Sequence, residues 1–348
     1  MSKVRKVVLV ILTVLALMVI GAYAFLQTQL GKINRVTAGE TEFTTEDFDV
    51  DTDEPDTIND VDWGSSGKIE TEEGVINILL VGQDTRVEGQ RARSDSMIIF
   101  TIDNNNKRMG MTSIMRDLYV QIPDYNGKSY SNNKINAAYA FGGFELLDAT
   151  IEANFGIRID YNVEVDFEGF KDIIDTIGGI DVRLNEAEVS YLSGNSQYSG
   201  KGDGNAFSGL QVGMNHLDGA EALAYARIRY VKTDTSHDDF GRTERQRTVI
   251  QTVFQKMKNE PWTDLLAVYD SVAGDLTTDM NNDEILSLAL TAYNIGATSI
   301  DEYRIPEDGA YSGESVRGMS VLVPTSWDLC RANLQEFIYG KSSSTVTQ

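Results

Sequence analysis

The stretch from Tyr225 to Arg247, YARIRYVKTDTSHDDFGRTERQR, constrains the fold of this chain more than any other, because it concentrates five arginines in an acidic protein. The formal net charge of the whole chain is −23, so such a group of cations is unusual here. Buried cations need paired anions. The fold must therefore surround these arginines with carboxylates, expose them to water or use them to bind an anion.

The spacing of the charged residues predicts two faces that carry them. Arg227 and Arg229 are two residues apart, so an extended segment would direct both to one side. Asp239, Arg242 and Gln246 are three and four residues apart, so a helix would direct all three to one side. Arginine forks match phosphate oxygens, and a helix N-terminus adds free N–H groups. We interpret the stretch as a pyrophosphate site.

Ordinary ion pairs on a helix surface are the alternative. Asp239 with Arg242, or Glu244 with Arg247, would then contribute only a little stability. Apolar neighbours of the first arginine pair, Ala226 and Ile228, favour the anion site, since they indicate a half-buried strand. A bound phosphate would supply the anionic partner that such a strand lacks.

Composition excludes several classes of protein. The acidic balance argues against a nucleic-acid partner, because binding to a phosphate backbone needs a basic face. A single cysteine, Cys330, excludes an internal disulfide and a thiolate metal cluster. Two histidines, His216 and His237, make a zinc enzyme improbable.

The N-terminal region predicts a membrane anchor. Residues 1–6 carry three cationic side chains, and Val7 to Leu26 form an apolar run whose 20 residues would reach about 30 Å as a helix. The cationic start predicts a cytoplasmic N-terminus and a single-pass protein with its main domain outside the cell. A cleaved signal peptide is the alternative, because residues 22–24 (Ala-Tyr-Ala) resemble a cleavage site.

The remaining chain divides into three parts. Residues 27–74 are rich in Asp and Glu, and we interpret them as a solvated stem. Residues 75–340 contain the periodic apolar patterns of a globular domain. Residues 341–348 form a polar tail.

The start of the globular domain predicts strands with charged residues at their ends. Apolar runs indicate strands at Val75 to Val81, Ser96 to Ile102 and Arg108 to Met115. Functional groups at strand ends are the usual layout of an α/β site. The charged residues next to these strands are Asp84, Arg93, Asp95, Arg116 and Asp117. Asp84 and Asp95 could instead be simple turn residues.

Strands and helices alternate in the middle of the chain, which predicts a sheet covered by helices. Helices are predicted at Lys134 to Phe141, Phe144 to Asn154 and Phe167 to Ile177, and strands at Tyr161 to Asp166 and Ile180 to Leu184. The residues from Asp218 to Glu221 form a capping-box pattern that starts a helix leading to Arg227. Apolar positions of these helices could line a lipid groove, although such positions are more often core.

Eight motifs in one order resemble those of the LytR-CpsA-Psr family of exported cell-wall enzymes. They cover about Val75 to Ile338 and are ILLVGQDTR (78–86), RSDSM (93–97), TSIMRDLYV (112–120), KINAAYAFGG (134–143), VDFEGF (165–170), IGGIDV (177–182), LDGAEALAYARIR (217–229) and DFGRTERQR (239–247). Two departures concern Met115, where the family commonly has proline, and the insertion-like stretch Val231 to Asp238.

The resemblance implies an α/β/α sandwich with a central mixed sheet. It also implies transfer of an anionic glycopolymer, such as teichoic acid or capsule, from an undecaprenyl-pyrophosphate carrier to the muramic-acid C6 hydroxyl of peptidoglycan in a Gram-positive-type envelope. The implied pyrophosphate-binding residues are Arg93, Arg116, Lys134, Arg227, Arg229, Arg242 and Gln246. The implied metal-associated carboxylates are Asp84, Asp95 and Asp239, with Mg²⁺, or Mn²⁺ in its place, as the cofactor. Asp84 is our preferred general base for the acceptor hydroxyl.

Two other functions remain possible from the sequence. The same site with water as acceptor would hydrolyse prenyl or nucleoside pyrophosphates. A non-catalytic, membrane-anchored regulator is the second, although residues 1–6 leave no room for a cytoplasmic helix-turn-helix.

Overall fold

The structure is a computed structural model that describes residues 27–28, 30–36, 57–58, 60–65, 68–83, 93–195, 206–258, 260–261, 265, 268–269 and 273–340. Within these ranges, no helix has the length and apolar character needed to cross a bilayer. The predicted anchor at 7–26 lies outside the described residues, as do residues 1–6 and the tail at 341–348.

A seven-stranded mixed sheet forms the centre of the fold. Its strands, in their order across the sheet, are β1 (Asn34–Arg35), β10 (Leu276–Thr278), β7 (Tyr161–Val165), β2 (Val75–Gln83), β3 (Ser94–Asp103), β4 (Arg108–Ile114) and β11 (Ile300–Ile305). The central strands β2, β3 and β4 are antiparallel neighbours, whereas β7 is parallel to β2 and β11 is parallel to β4. Strands β2, β4, β7 and β11 therefore end at one edge, where β3 begins. We call it the upper edge.

Helices cover both faces of this sheet. In the described part of the chain, the helices are α1 (Ile135–Phe155), α2 (Phe167–Thr176), α3 (Glu186–Leu192), α4 (Gly219–Ala226), α5 (Asp238–Met257), α6 (Asn282–Ile295) and α7 (Trp327–Tyr339). Helices α1 and α7 lie on one face of the sheet and α5 and α6 on the other. Helices α2, α3 and α4 share a separate apolar core that also includes Val249 of α5. Because side chains alternate along a strand, Leu79 and Ile99 pack with α1 and α7, while Ile78 and Ile98 pack on the face that carries α5 and α6. The expected α/β/α sandwich with a central mixed sheet is confirmed.

Helix α1 combines the two helices predicted on either side of a glycine pair. Gly142 and Gly143 both leave helical geometry, and Gly143 has φ 63° and ψ −150°. A non-glycine residue is strained at such a positive φ, so the pair allows the helix to kink. The apolar residues Leu146 and Ile151 of α1 are fully buried in the core. They contribute to packing and do not line a groove.

Strand β8 (Ile180–Leu184) does not join the central sheet, in contrast to the simple strand–helix–strand expectation. It pairs with β9 (Gly213–Leu217) in a separate two-stranded sheet. The reason is that the free edge of β7 is already paired with β10. Two further hairpin-like pairs join β5 (Tyr119–Val120) to β6 (Asn133–Lys134), and β12 (Tyr311–Val316) to β13 (Met319–Pro324).

Parts of residues 27–74 pack on the domain, which differs from the solvated stem that we expected there. Strand β1 pairs with β10 through Asn34 and Arg35. The Trp63 ring lies 5.6 Å from that of Trp327, and Thr57 donates its backbone N–H to Ser315 at 2.9 Å. An aromatic side chain and main-chain pairing supply apolar burial and hydrogen bonds that an acidic composition alone does not reveal.

Candidate active site

Charged side chains gather at the upper edge of the sheet because three chain segments meet there. Strand β4 ends at Ile114 and is followed at once by Arg116 and Asp117. Strand β3 begins at Ser94, which brings Asp95 to the same edge. The first turn of α5 adds Asp239. This is the layout that the sequence predicted for strand ends.

Arg116 is the centre of the cluster. Its Nη1 lies 2.5 Å from Oδ1 of Asp95, and its Nε lies 3.5 Å from Oδ2 of Asp239 and 3.8 Å from Oδ2 of Asp117. Burial acts to lower the pKa of Arg116, but the three carboxylates outweigh it and raise that pKa. Arg116 thus remains a fixed positive charge, with 19% of its side chain exposed.

Arg242 ties helix α5 to strand β3. Its Nε and Nη2 lie 2.7 and 2.9 Å from the two carboxylate oxygens of Asp239, and its Nη1 donates to the backbone carbonyl of Asp95 at 2.6 Å. One turn later, Gln246 accepts a hydrogen bond from Ser96 Oγ at 3.1 Å. The predicted helical face of Asp239, Arg242 and Gln246 is confirmed, and it faces the start of β3.

Arg229 reaches the same two carboxylates. Its Nη2 lies 3.6 Å from Asp95 and its Nε lies 3.7 Å from Asp239, with 34% of the side chain exposed. Burial lowers the pKa of Arg229, and the nearby Arg242 and Arg116 lower it further. Two guanidinium groups, those of Arg116 and Arg229, therefore bridge one pair of carboxylates.

The strand predicted for Arg227 and Arg229 is wrong. Helix α4 begins at the capping box of Asp218, as predicted, and ends at Ala226 with Arg227 as its C-cap. The guanidinium of Arg227 stacks over the ring of Phe167, 4.2 Å from its centroid. Phe167 follows the end of β7, so Arg227 also lies at the upper edge. Neither arginine needs a strand to reach it.

Lys134 and Arg93 complete the cationic set. Lys134 precedes α1, and its Nζ lies 2.7 Å from Oδ1 of Asp117. Arg93 precedes β3, and burial lowers its pKa while the charge of Asp117 opposes that effect. The sequence placed Asp117 among the charged residues at strand ends, but no role in the site was assigned to it. Asp84 lies outside the described residues.

Counted over the described residues, which leave out Asp84, the cluster has a surplus of positive charge. Five cationic side chains, Arg93, Arg116, Lys134, Arg229 and Arg242, meet three carboxylates, Asp95, Asp117 and Asp239. Burial acts to raise the pKa of Asp239, yet Arg242, Arg116 and Arg229 hold that pKa below its usual value. A partly buried site with unbalanced guanidinium groups is suited to a multiply charged anion such as a diphosphate.

The carboxylates fit a magnesium ion that arrives with phosphate. No group of three or more His, Cys, Asp or Glu side chains in the described part of the chain is placed to hold a metal by itself. Asp95 and Asp239, however, contact the same two guanidinium groups and offer hard oxygen donors. Mg²⁺ usually takes one or two carboxylates together with water and substrate phosphate oxygens, so this donor set is sufficient.

An apolar cavity of about 640 Å³ lies on the sheet face covered by α5 and α6. Phe100 and Met109 form its floor, and Phe254 and Leu286 form part of its walls. Phe254 is 12 residues beyond Arg242 on α5, so the cavity lies about 18 Å along the helix from the charged cluster. The residues that line this cavity do not come from the helices for which the sequence left an apolar groove as the alternative to core packing.

Comparison with known proteins identifies the family of this chain. The model of the LytR_cpsA_psr family matches residues 36–331. The chain belongs to the LytR-CpsA-Psr family. The resemblance that the sequence motifs indicated is therefore confirmed.

Relatives within the LytR-CpsA-Psr family cover most of the chain. A protein of Bacillus anthracis named polyisoprenyl-teichoic acid–peptidoglycan teichoic acid transferase TagU is 36% identical over 242 residues, which are 69% of this chain and 72% of TagU. The regulatory protein MsrR of Staphylococcus aureus is 34% identical over 241 residues, 69% of this chain and 67% of MsrR.

Two solved structures share the fold of this family member. The crystal structure of Bacillus subtilis TagV has a TM-score of 0.60 and 31% identity, and the match covers 77% of this chain and 98% of TagV. The structure of TagT bound to LI-WTA has a TM-score of 0.60 and 25% identity, and the match covers 81% of this chain and 99% of TagT. TagV and TagT therefore share the fold that is built around the central mixed sheet.

Proposed function

We propose that this protein transfers an anionic glycopolymer from an undecaprenyl-pyrophosphate carrier to the C6 hydroxyl of muramic acid in peptidoglycan. The main observation that supports this proposal is the group of five cations around three carboxylates among the described residues at the upper edge. The name of the relative TagU, which specifies polyisoprenyl-linked teichoic acid and peptidoglycan, supports this choice of donor and acceptor.

The reaction exchanges one phosphorus–oxygen bond for another. The acceptor oxygen attacks the phosphorus that carries the glycan, and the bond from that phosphorus to the bridging oxygen breaks. Undecaprenyl phosphate leaves with the bridging oxygen, the polymer becomes a phosphodiester, and a carboxylate accepts the proton of the hydroxyl. Phosphoryl transfer of this kind depends mainly on positioning and charge neutralisation.

The arginines supply both the positioning and the charge neutralisation. Arg242 is 2% exposed and is held by two carboxylate contacts, so it provides a fixed charge at the back of the site. Arg116 and Arg229 are more open, and they can turn their forks from the carboxylates toward phosphate oxygens. Charge that develops on the leaving phosphate is stabilised best by donors that are already in place.

The carboxylates divide into different roles. Asp239 has a depressed pKa, and a carboxylate that is held ionised by three arginines is a weak base. Asp239 and Asp95 would therefore hold Mg²⁺ beside the diphosphate, and Asp84 remains the proposed base. When bound, Mg²⁺ would neutralise phosphate oxygens and the charge of the leaving group.

The carrier lipid would occupy the apolar cavity between α5 and α6. Its walls are apolar side chains, and its volume of about 640 Å³ leaves room for several carbon units of a prenyl chain. The predicted anchor at residues 7–26 would keep the catalytic domain outside the cell at the membrane that contains this carrier.

Reconstituted transfer tests the proposal. The full-length protein in detergent is given a prenyl-pyrophosphate-linked teichoic acid, Mg²⁺ and peptidoglycan, and both the wall-linked polymer and prenyl phosphate are measured. Arg227→Ala should abolish attachment while the protein stays folded, and near-normal transfer by that variant would refute its role.

The same assay distinguishes the other two functions. Free glycan phosphate without a peptidoglycan adduct would identify a hydrolase. A purely regulatory role, which the name of MsrR gives to that relative, predicts unchanged wall composition in a strain that carries Asp95→Ala and Arg229→Ala together.

A further inference from the structure

One side of α6 is apolar and open to solvent. Leu286, Leu290 and Tyr293 are four and three residues apart, so they lie in one stripe along the helix. Leu290 is 45% exposed and Tyr293 is 62% exposed. Leu286 and Tyr293 also line the apolar cavity, so the rim of the cavity belongs to this stripe. We call these three residues the α6 surface.

The chain that follows the apolar run joins the domain at the beginning of the same helix. Gln27 donates its Nε2 to Oδ1 of Asp283 at 2.9 Å, and Asn282 donates its Nδ2 to the backbone carbonyl of Gln27 at 3.2 Å. Leu30 is 6% exposed and lines the cavity beside the helix. Gln27 and Leu30 are thus fixed to the first turn of α6 and to its cavity.

We propose that the α6 surface docks on the outer leaflet of the bilayer, next to the anchor of the same chain. This inference rests on the membrane anchor that forms part of the proposed function. The apolar run ends at Leu26, one residue before Gln27. The interfacial zone outside the hydrocarbon core is only about 5–8 Å deep, so the hydrogen bonds of Gln27 hold the first turn of α6 at headgroup level.

The side chains of the surface suit this depth. Leu290 is seven residues beyond Asp283, about 10 Å along the helix, and reaches the leaflet when α6 lies along it. The amphipathic ring of Tyr293 is typical of a membrane interface. Lys258 lies at the cavity rim and adds a positive charge beside anionic lipid headgroups.

Docking in this orientation has a consequence for the carrier lipid. The rim of the apolar cavity would face the leaflet, because Tyr293 belongs to both the cavity and the exposed surface. A prenyl chain could then pass from the bilayer to the cavity without crossing water. The diphosphate would bind at the upper edge, toward the other end of α5.

Spin labels at two matched leucines test the orientation. The full-length protein, with Cys330→Ser as background, carries a nitroxide at Leu290→Cys on α6 or at Leu329→Cys on α7, which covers the opposite face of the sheet. Both side chains have similar exposure, 45% and 49%. The proteins are reconstituted in vesicles of phosphatidylglycerol and phosphatidylethanolamine, and collisions with oxygen and with a water-soluble nickel complex are measured.

The proposal predicts high oxygen and low nickel accessibility at 290, and an aqueous profile at 329. Equal nickel accessibility at both positions, in protein that floats with the vesicles, would overturn docking while leaving the anchor intact. Protein that fails to float would overturn the anchor and docking together. Protection of 290 that persists in detergent and rises with protein concentration would identify a second copy as the occupant and overturn docking on the leaflet. The transfer assay is run in detergent, so a failure of the proposed function can be distinguished from a failure of docking.

Discussion

Two buried arginines, one turn apart on α5, show opposite uses of the same side chain. Arg242 is 2% exposed and Arg245 is 0% exposed. The anion that holds Arg242, Asp239, is also contacted by Arg116 and Arg229, which remain partly open to solvent. The partner of Arg245 is Glu188, at 2.8 Å, and it is itself buried. The charges around Asp239 can therefore exchange partners with a ligand, whereas the Arg245–Glu188 pair is buried and cannot.

Arg245 instead positions the chain that carries the site arginines. Its Nη1 and Nη2 donate to the backbone carbonyls of Ile228 and Val231 at 3.1 and 2.9 Å. Those residues flank Arg229. Neither burial nor charge therefore marks a functional arginine. What separates the two is whether the carboxylate partner is shared with cations that a substrate can reach.

Among the side chains in this comparison, Arg116 should give the largest loss of activity when it is replaced by alanine. Loss of a preorganised donor to phosphate should slow polymer attachment about 10²- to 10³-fold, or roughly 3–4 kcal/mol, with little change in melting temperature. Initial rates of wall-linked polymer formation measure it. The control is Arg158→Ala, which removes a 61% exposed partner of Asp160 away from the site. Equal rates for the two variants would contradict the role of the upper edge.

Arg245→Ala should have its main effect on stability. It leaves Glu188 buried without its cation, and breaking a buried pair costs about 3–5 kcal/mol. Chemical denaturation measures the loss. Replacing both partners, Arg245→Met with Glu188→Leu, should restore only part of the stability. Neither charge is then buried, but the carbonyls of Ile228 and Val231 and the N–H of Asn185 lose their partners. If Arg245→Ala unfolds like the wild type, the contrast between the two arginines fails.

The variant Asp239→Asn tests the ion pairs of Asp239 through the pH dependence of stability. The pKa of Asp239 is depressed in the folded state, so its ion pairs stabilise the fold above the unfolded pKa of about 3.9 and are lost as pH falls through the lower folded value. The variant should be about 1–3 kcal/mol less stable at pH 7 and should lose less stability than the wild type on acidification below about pH 4. Parallel urea titrations at both pH values test this, and identical acid losses would count against the ion pairs.

The smallest effect is expected from Glu302→Gln. Glu302 is 42% exposed and lies 3.0 Å from Arg247, the third arginine of α5, which also donates to Ser113. A partly exposed pair contributes less than about 1 kcal/mol, so both stability and polymer attachment should remain close to wild type. A large loss of stability or of polymer attachment would mean that the Arg247–Glu302 pair contributes more than its geometry indicates.

Local patterns predicted the helices and the strand ends, because spacing fixes which side chains share a face. The α5 face of Asp239 and Arg242 and the capping box at Asp218 were both accessible in this way. Interactions between distant segments were not accessible from local patterns. The exclusion of β8 from the sheet depends on β10 having occupied the edge of β7.

For Asp117, the strand-end position was predicted but its ion pair was not, for the same reason. Its contact with Lys134 requires the end of β4 to meet the start of α1, and the pairing of β5 with β6 brings them together. Arg227 illustrates the reverse case. Its place at the upper edge was anticipated, although the strand expected to carry it is replaced by the end of α4.

Calorimetric titration with a short prenyl diphosphate and the matching monophosphate, in the presence of Mg²⁺, tests the central claim most directly. The account predicts that the diphosphate binds more tightly than the monophosphate. It also predicts that Arg229→Ala loses this preference and that Arg158→Ala, away from the site, keeps it. Equal affinity of the wild type for both ligands, or an unchanged preference in Arg229→Ala, would contradict a diphosphate site at the upper edge.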